Sequence, residues 1–501
     1  MDLTVHNQII WQSCVAAAKA LANKEKISDP RVHFPQLAKG SWCNDVIQAT
    51  SFTDQLNEFV SPEQVQRFFN EMWSQEKESL LTQMKNGPTE AREIYKDAEV
   101  ISQKDISEHT DFGKYSAMDH FDVLHDEPSK EYLGATGKRQ CAKTVQAVCD
   151  LRIPSHLQNS TIALNKEERL HHQNITALGR ALHTIQDFFA HSNYVELLLW
   201  ELGWNKKLDD KVLYGFNNQD TFLNPDAYLH FNFPIPCNSA EIKTLTAKNV
   251  IMWYGNSPEE TPLVSTLFDK RDTTYSIMKI AAHHLENVET SAKSEEQFNL
   301  AISIFGFPEQ KLLKTTYRTY SAVSSLFNEI SSSVKKFFTS NLMSLMSKHP
   351  AAHEAIEAYT RIFNNYKNAE TKDWAQAGKF RYIEYCIKKD IASSYDQQSV
   401  NKPLLPHHTL LHKDSLFDNA EDSLRFRLAA AMALQATTEI LAEHFSENPS
   451  EDKLNTVLRH HMMHPSEQIK KGYLKMDSVS QFIQQAYGGK WTHSQQSMVG
   501  Y

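Results

Sequence analysis

The chain has 501 residues, of which 41% are hydrophobic and 23% are charged, and this balance is typical of a folded globular protein rather than a disordered one. Its 15 glycines and 17 prolines are few for an all-β protein of this length, so the composition predicts a mainly α-helical fold. The net charge of −9 argues against a surface that binds nucleic acid nonspecifically.

The cysteines and the N-terminal sequence exclude two further classes of protein. Six cysteines are scattered without CxxC spacing, which predicts reduced thiols rather than a zinc ribbon or a disulfide framework. The first residues, MDLTVHNQIIWQSC, lack the basic and apolar regions of a signal peptide. No later stretch has about 20 uninterrupted apolar residues. We therefore expect no classical secretory signal and no transmembrane segment.

Three segments of the first hundred residues are predicted to be wholly or partly helical. Residues 5–23 form an opening helix with His6 near its start, where a surface histidine and a metal ligand are about equally plausible. Residues 30–50 are predicted to be a loop that leads into a turn of helix. Asp45 follows this turn, and an isolated aspartate in such a place is usually a helix cap. Residues 60–104 are predicted to form a charged, solvated helical hairpin.

The segment 108–128 differs from an ordinary surface loop. It places aspartates and histidines close together, among them Asp119, His120, Asp122 and His125. A solvated loop would normally contain lysine, glutamate and serine instead. This density of neutral nitrogen and carboxylate groups favours a loop that handles a metal ion or a phosphate.

Residues 176–202 are predicted to be the central helix of the fold. His183, Asp187 and His191 lie four positions apart, so their side chains project from one face of an α-helix. Apolar residues occupy the opposite face, as in a helix of a packed bundle. Two imidazoles beside a carboxylate on a rigid helix suit a cation such as zinc.

The second half of the chain carries weaker signals. Short β-like runs in residues 240–280 predict a small hairpin or lid beside the site, and residues 421–445 predict another helix. Between them, histidines and an aspartate cluster at His408 and Asp414 after two prolines. The predicted domains are a catalytic core of residues 1–295 and 401–445, a helical insert or second lobe of residues 296–400, and a polar, loosely ended C-terminal extension of residues 446–501.

The chemistry that these residues favour is hydrolysis by metal-activated water. Histidines and aspartates that converge from several helices suit two or three zinc ions, whereas a di-iron site would require Glu-x-x-His pairs. The chain has no glycine-rich phosphate loop and no GxSxG motif, so nucleotide binding and covalent serine catalysis are not indicated. Zinc lowers the pKa of bound water to about 7.

Several motifs also resemble a known family. The stretches GSWCNDVIQAT, DHFD and LGRALHTIQDFFAHSNYVEL, followed by LVSTLFDKRDTTYS and LPHHTLLHKD, resemble the zinc-dependent phospholipase C proteins of bacteria and their fungal HET-C-like relatives. The resemblance extends from residue 6 to about residue 445 in separate islands. It implies an all-α fold with a trinuclear zinc cluster that hydrolyses glycerophospholipids, such as phosphatidylcholine or phosphatidylglycerol, at membrane surfaces.

Carried over position by position, the resemblance implies metal ligands at His6, Asp45, His120, His183, Asp187, His191, His408 and Asp414. Asp45 or Asp187 would bridge two metals, and Asp45 is also a candidate to accept the proton from water. Secreted relatives use an N-terminal Trp amine and a His-x-x-x-Glu pair as further ligands. This chain begins with Met and lacks an evident pair of that kind, so its remaining ligands are left open between His408 with Asp414 and Glu196.

The resemblance also implies a location and leaves two alternatives. A signal-less member of the group would reside in the bacterial cytoplasm before a dedicated secretion system delivers it into a host cell. The alternatives are a nuclease or phosphatase of the related trinuclear-zinc fold, and a non-catalytic HET-C-like scaffold in which the metals are structural. An acidic chain does not favour a nucleic-acid substrate, and protein partners are left open.

Overall fold

A computed structural model describes residues 3–47, 62–103, 116–124, 143, 145–162, 164–202, 259, 261–268, 424–474 and 479. These residues are mainly α-helical, as the composition predicts. The α-helices are α1 (Leu3–Ala20), α2 (Phe34–Ile47), α3 (Pro62–Asn86), α4 (Thr89–Arg92), α5 (Tyr95–Gln103), α6 (Ile153–Leu157), α7 (Lys166–Arg169), α8 (His172–Ala190), α9 (Tyr194–Glu201), α10 (Leu424–His444), α11 (Glu451–His461) and α12 (Pro465–Lys470). The other elements are 3₁₀ turns at Pro30–His33 and Ala117–His120, π-helical segments at Val148–Arg152 and Gln158–Ile162, and strands β1 (Asp122–Leu124) and β2 (Thr266–Phe268).

The core consists of four helices, α1, α2, α8 and α10, with α8 at its centre. This helix packs against both α2 and α10, and α1 packs against the same two helices. Every residue of α8 from 181 to 190 is buried, so its polar face is enclosed by protein as fully as its apolar face. A buried polar face has to find its partners among neighbouring side chains. The core therefore determines what surrounds the histidines of α8.

Two glycines allow α2 and α8 to cross in backbone contact. A Cβ atom on Gly40 would lie 2.0 Å from the carbonyl oxygen of Thr176, and one on Gly179 would lie 2.2 Å from that of Leu37. Neither oxygen belongs to a flexible side chain, so neither can move aside without shifting a helix. Only glycine fits at both positions, and the crossing brings the last turns of α2 next to the middle of α8.

Alanine at either crossing glycine should force the two helices apart. We expect Gly179→Ala and Gly40→Ala each to lower the free energy of unfolding by about 3 kcal/mol, although alanine is intrinsically the better helix former by about 1 kcal/mol. The control is Gly472→Ala, where φ is +72° and no atom lies within 4 Å of the added Cβ. It should cost only about 1 kcal/mol from backbone strain. Urea unfolding of the variants measures this, and a Gly179→Ala protein as stable as the wild type would contradict the close crossing.

The structure corrects two of the predicted segments. The segment 176–202 is two helices rather than one, because α8 ends at Ala190 and α9 begins at Tyr194. The Ser192 hydroxyl donates to the Phe188 carbonyl and accepts from the Tyr194 amide, which satisfies backbone groups at the break. The loop predicted for 30–50 is largely α2, and Asp45 lies within that helix rather than capping one. The first part of the predicted C-terminal extension contains α11 and α12, and residues 475–478 and 480–501 lie outside the described residues.

The β-like run near residue 266 forms a strand, but its partner is distant in sequence. Strand β2 pairs in parallel with β1, with Asp122 opposite Thr266. The isolated bridge between Ser192 and Ser265 ties the same segment to the break after α8. The other β-like runs of 240–280 lie outside the described residues, as do residues 296–400, so the predicted lid and insert stay predictions. None of the helices in the described ranges combines the length and apolar character that crossing a membrane requires.

Two buried histidines lie where α10 ends, beside the ring of Phe445. His33 stacks on that ring at 5.3 Å between centroids, and His444 meets its edge at 4.8 Å. Burial lowers the pKa of His33 to about 4. Burial, followed by the nearby Arg169 guanidinium, lowers the pKa of His444 to about 3. Both rings are therefore neutral in the folded protein at any pH above about 5.

These histidines should make the protein less stable in mild acid. Below pH 6.5 the unfolded chain binds protons at both histidines while the folded chain does not, so stability falls as the pH drops from 6.5 towards 4. We expect each to contribute on the order of 2 kcal/mol of lost stability at pH 4.5. Urea unfolding at pH 7.5 and 4.5 should show a smaller difference in the free energy of unfolding for His444→Gln than for the wild type. The variant His171→Gln, at an exposed position, should show the same difference as the wild type. An equal loss in all three proteins would contradict this assignment.

Candidate metal centre

Six of the eight predicted site residues meet at one buried place. Their elements are far apart in the chain: α1, α2, the 3₁₀ turn before β1, and α8 with its C-terminal cap. The residues brought together are His6, Asp45, His120, His183, Asp187 and His191. His408 and Asp414 lie outside the described residues, so they stay predictions.

The Asp187 carboxylate is the centre of this cluster, and four imidazoles surround it. Its oxygens lie 3.0 Å from His183 Nε2 and 3.3 Å from His6 Nε2. They lie 3.5 Å from His120 Nδ1 and 3.7 Å from His191 Nε2. Burial favours the neutral acid, but the surrounding imidazoles, His191 foremost, together hold the pKa of Asp187 well below its usual range. The cluster therefore has an ionised carboxylate at its centre.

Asp45 contributes a second carboxylate on the side of the cluster nearest to solvent. One of its oxygens lies 4.0 Å from His183 Nε2, and its side chain is 13% exposed whereas that of His183 is fully buried. Its other oxygen has no hydrogen-bond partner among the described residues. Burial raises the pKa of Asp45 to about 6. This carboxylate is therefore poised to exchange a proton near neutral pH.

The proton positions of two imidazoles follow from the atoms outside the cluster. His120 Nε2 lies 3.0 Å from the carbonyl oxygen of Asn44. His191 Nδ1 lies 2.6 Å from the carbonyl oxygen of His120 and 3.2 Å from a carboxylate oxygen of Asp122. Since a carbonyl can only accept, these ring nitrogens donate, and the inward nitrogen of each neutral ring carries a lone pair.

The remaining two imidazoles are held in the same way by side chains. His6 Nδ1 lies 2.6 Å from Gln186 Oε1, and His183 Nδ1 lies 3.0 Å from the Ser41 hydroxyl. Each contact accommodates a proton on Nδ1 and leaves Nε2 directed at the carboxylates. An outer hydrogen bond of this kind is the usual way in which proteins orient a metal-binding histidine.

Inward lone pairs that face one another require a positive charge between them. His183 Nε2 and His120 Nδ1 are only 3.1 Å apart. Burial, and then the adjacent His6 ring, hold the pKa of His183 well below 6.5. Burial opposes a charge on His120 too, but its hydrogen bond to Asp187 and the charge of that carboxylate outweigh this and raise its pKa. A proton on His120 relieves the opposition of lone pairs, and a metal cation would relieve it for every nitrogen at once.

The spacing of the donor atoms fits zinc. Two donors that are each about 2.0 Å from a tetrahedral ion lie about 3.3 Å apart, and the separations in the cluster run from 3.0 to 4.0 Å. Two ligand sets have their donor atoms within 4.8 Å of one another: His6, Asp45 and His183, and His120, His183 and Asp187. His6 Nε2 is buried and has no hydrogen-bond partner among the described residues, so this nitrogen is available to bind a metal ion. The described residues thus hold a group that could bind a metal ion.

The two residues left open beside the central motif now have distinct places. The Asn193 amide donates to the Pro262 carbonyl at 3.1 Å and accepts from the Val264 amide at 2.8 Å. It therefore fixes the segment that leads into β2, which pairs with the strand beginning at Asp122. Glu196 is fully buried on α9, and neither ligand set includes it.

Three supporting residues lie within the quoted motifs but were not among the predicted ligands, and only Asp122 was noted in the sequence, as a member of the segment 108–128. Ser41 precedes Asp45 by four positions on α2, Gln186 precedes Asp187 directly, and Asp122 follows His120 by two positions. A helical wheel would have placed Ser41 on the same face as Asp45. No local pattern distinguishes the side chain that holds a ligand from one that packs elsewhere, because this depends on the partner helix.

One comparison with known proteins bears on the site. The family described as heterokaryon incompatibility protein Het-C matches residues 137–209, which include His183, Asp187 and His191. No curated protein and no solved structure matches the chain. The match is limited to a short part of the chain and concerns the HET-C-like side of the resemblance, so the phospholipase side stays a prediction.

The Asp122 carboxylate should matter for metal binding because it holds His191. Loss of such a partner typically weakens metal affinity 10- to 100-fold, and we expect about this for Asp122→Asn when zinc competes with a chromogenic chelator. The control is Asp119→Asn in the preceding 3₁₀ turn, where the carboxylate pairs with Arg152 at 2.5 and 2.8 Å instead of with a site histidine. Equal zinc affinities for the two variants would contradict the role of Asp122.

Proposed function

We propose that this protein is a zinc-dependent phospholipase C, which hydrolyses glycerophospholipids to diacylglycerol and a phosphorylated head group. One observation carries the proposal. Four buried imidazoles, each with its outer nitrogen within hydrogen-bonding distance of an oxygen, surround the ionised carboxylate of Asp187. A pair of hydrogen-bonded core residues would not require four such rings.

The residues that would hold two or three zinc ions are His6, Asp45, His120, His183, Asp187 and His191, with His408 and Asp414 as further candidates. Bound zinc polarises a phosphoryl oxygen and makes water nucleophilic at neutral pH. Among the described donors, four nitrogens and two carboxylates give a set typical of zinc rather than of magnesium or calcium, which prefer oxygen alone.

The protein's own residues have separable tasks in this proposal. Asp187 supplies the negative charge that balances the cations and keeps the four rings together. Asp45, whose side chain is partly exposed, would accept the proton from the attacking water. Asp122, Ser41 and Gln186 orient rings without touching substrate. Substrate would approach from the side of Asp45.

The choice of a lipid substrate rests on the motif resemblance and on charge. Nucleic-acid phosphates are normally bound by clustered lysine and arginine, whereas this chain has a net charge of −9. Phosphatidylcholine and phosphatidylglycerol are the first substrates to test. Export from a bacterial cytoplasm into a host cell belongs to the same proposal and rests on the resemblance alone.

A second candidate function is a non-catalytic scaffold that keeps the metals for structure. The observation that favours it is the match to the Het-C family, whose description names incompatibility and no reaction. In such a protein the zinc would stabilise the fold, because a ligand bound only by the folded state adds to its stability.

The decisive experiment joins metal content to turnover. Purified wild-type protein should contain zinc by mass spectrometry and release diacylglycerol from vesicles of phosphatidylcholine or phosphatidylglycerol. His183→Ala should lose both, because its nitrogen belongs to both ligand sets. The control His171→Ala, at the exposed N-terminal cap of α8, should lose neither.

Each other outcome decides against part of the proposal. Unchanged zinc in His183→Ala would overturn the site, and full activity after chelation would overturn the chemistry. Zinc without turnover of lipid or of single-stranded DNA, together with unfolding on chelation, would favour the scaffold. Cleavage of single-stranded DNA alone would identify a nuclease.

A further inference from the structure

Gln186 connects the metal centre to helix α10, which supplies none of the described ligands. Its Oε1 lies 2.6 Å from His6 Nδ1, and its Nε2 lies 3.2 Å from the Thr437 hydroxyl. All three side chains are fully buried. From this chain of contacts we infer that Gln186 is a positioning residue: it holds His6 in the tautomer that presents Nε2 to the metal, and Thr437 holds Gln186. The inference rests on the proposed metal site.

The ring proton of His6 belongs on Nδ1 rather than on Nε2. A neutral imidazole carries one proton, so one nitrogen donates and the other accepts. His6 Nε2 faces the Asp187 carboxylate at 3.3 Å and has no hydrogen-bond partner among the described residues. The proton therefore belongs on Nδ1, where Gln186 Oε1 accepts it. This leaves the lone pair of Nε2 for a cation.

The orientation of the Gln186 amide determines which tautomer of His6 is favoured. If the amide turned over, its NH₂ group would face His6 Nδ1 and would favour the opposite tautomer, whose Nε2–H would donate to Asp187. Such a ring could not bind a metal through Nε2. In the observed orientation Thr437 Oγ1 accepts from Gln186 Nε2, so Thr437 pairs with the amide while Oε1 faces His6. The orientation of the amide thus decides whether His6 Nε2 is available to a metal ion or donates to Asp187.

Helix α10 holds α1 and α8 in place relative to each other. This helix packs against α1, which carries His6, and against α8, which carries Gln186 and Asp187. The Ser13 hydroxyl donates to the Leu434 carbonyl at 3.2 Å, which ties α1 to α10 at a second point. Because α1 and α8 are both fixed on α10, the 2.6 Å contact between His6 and Gln186 is maintained. Helix α10 therefore contributes to the centre through position alone.

The test compares residues at position 186 that differ in what they can accept. Glutamate accepts the Nδ1 proton of His6, whereas methionine has nearly the same shape and makes no comparable hydrogen bond. In the full-length protein, titrated with zinc against a chromogenic chelator, we expect Gln186→Met to bind zinc about 10- to 100-fold more weakly and Gln186→Glu to stay within about threefold of the wild type. Gln435→Met, a glutamine on the half-exposed side of α10, is the matched control and should bind like the wild type.

A second measurement reads the tautomer directly. The zinc-free protein labelled with ¹⁵N-histidine should show the His6 resonances, identified by their loss in His6→Asn, with the proton on Nδ1 in the wild type and in Gln186→Glu. Thr437→Val keeps the shape of the side chain and should weaken zinc binding several-fold, which preserves the test if Gln186→Met does not fold.

The outcomes separate this inference from the function on which it rests. A wild-type protein that binds no zinc would overturn the proposed function and this inference together. Zinc binding by the wild type and Gln186→Met with equal affinity would overturn only the inference. Equal weakening by methionine and glutamate would also overturn it, since Gln186 would then act by packing rather than by its hydrogen bond.

Discussion

The backbone contact between α2 and α8 at Gly40 and Gly179 is the constraint on which the site depends. An ordinary pair of helices is separated by 8–10 Å because side chains lie between them, but here a Cβ on either glycine would overlap a carbonyl oxygen of the other helix. The close crossing places Ser41 against His183 and brings Asp45 towards the same ring. Side chains of two different helices could then bind one metal ion.

The electrostatics of the cluster follow from placing an ionised carboxylate in the interior. A buried charge is costly unless opposite charge or hydrogen bonds compensate it, and Asp187 is surrounded by imidazoles whose outer nitrogens are already engaged. Burial opposes ionisation, yet the surrounding imidazoles hold the pKa of Asp187 well below its usual range, while burial holds the pKa of His183 below its own. His183 therefore does not supply the positive charge that the carboxylate needs. A divalent cation would balance this arrangement better than a single proton on His120.

The candidate site is distributed over the chain and the family match covers only part of it, so the match does not by itself indicate a function. The segment matched by Het-C contains three of the candidate ligands, on α8 and its cap, whereas His6, Asp45 and His120 come from the preceding residues. Helix α10, much further along the chain, adds Thr437 as a support for Gln186. A metal centre of this kind is complete only when all of these segments fold together, and what it does to a substrate depends on the groups that approach from the Asp45 side.

The sequence by itself determined the helical class and named most of the residues that the structure brings together at the candidate site. Few glycines and prolines favour helices, and spacing of four residues places His183 and Asp187 on one face. The tertiary structure alone decided that Asp45 lies within α2 and caps no helix, that His191 lies at a break between α8 and α9, and that Ser41, Asp122 and Gln186 hold the rings. The physical reason is that periodicity describes a single element, whereas hydrogen bonds between side chains about 140 to 250 positions apart, such as Ser41 with His183 and Gln186 with Thr437, exist only after the helices have packed.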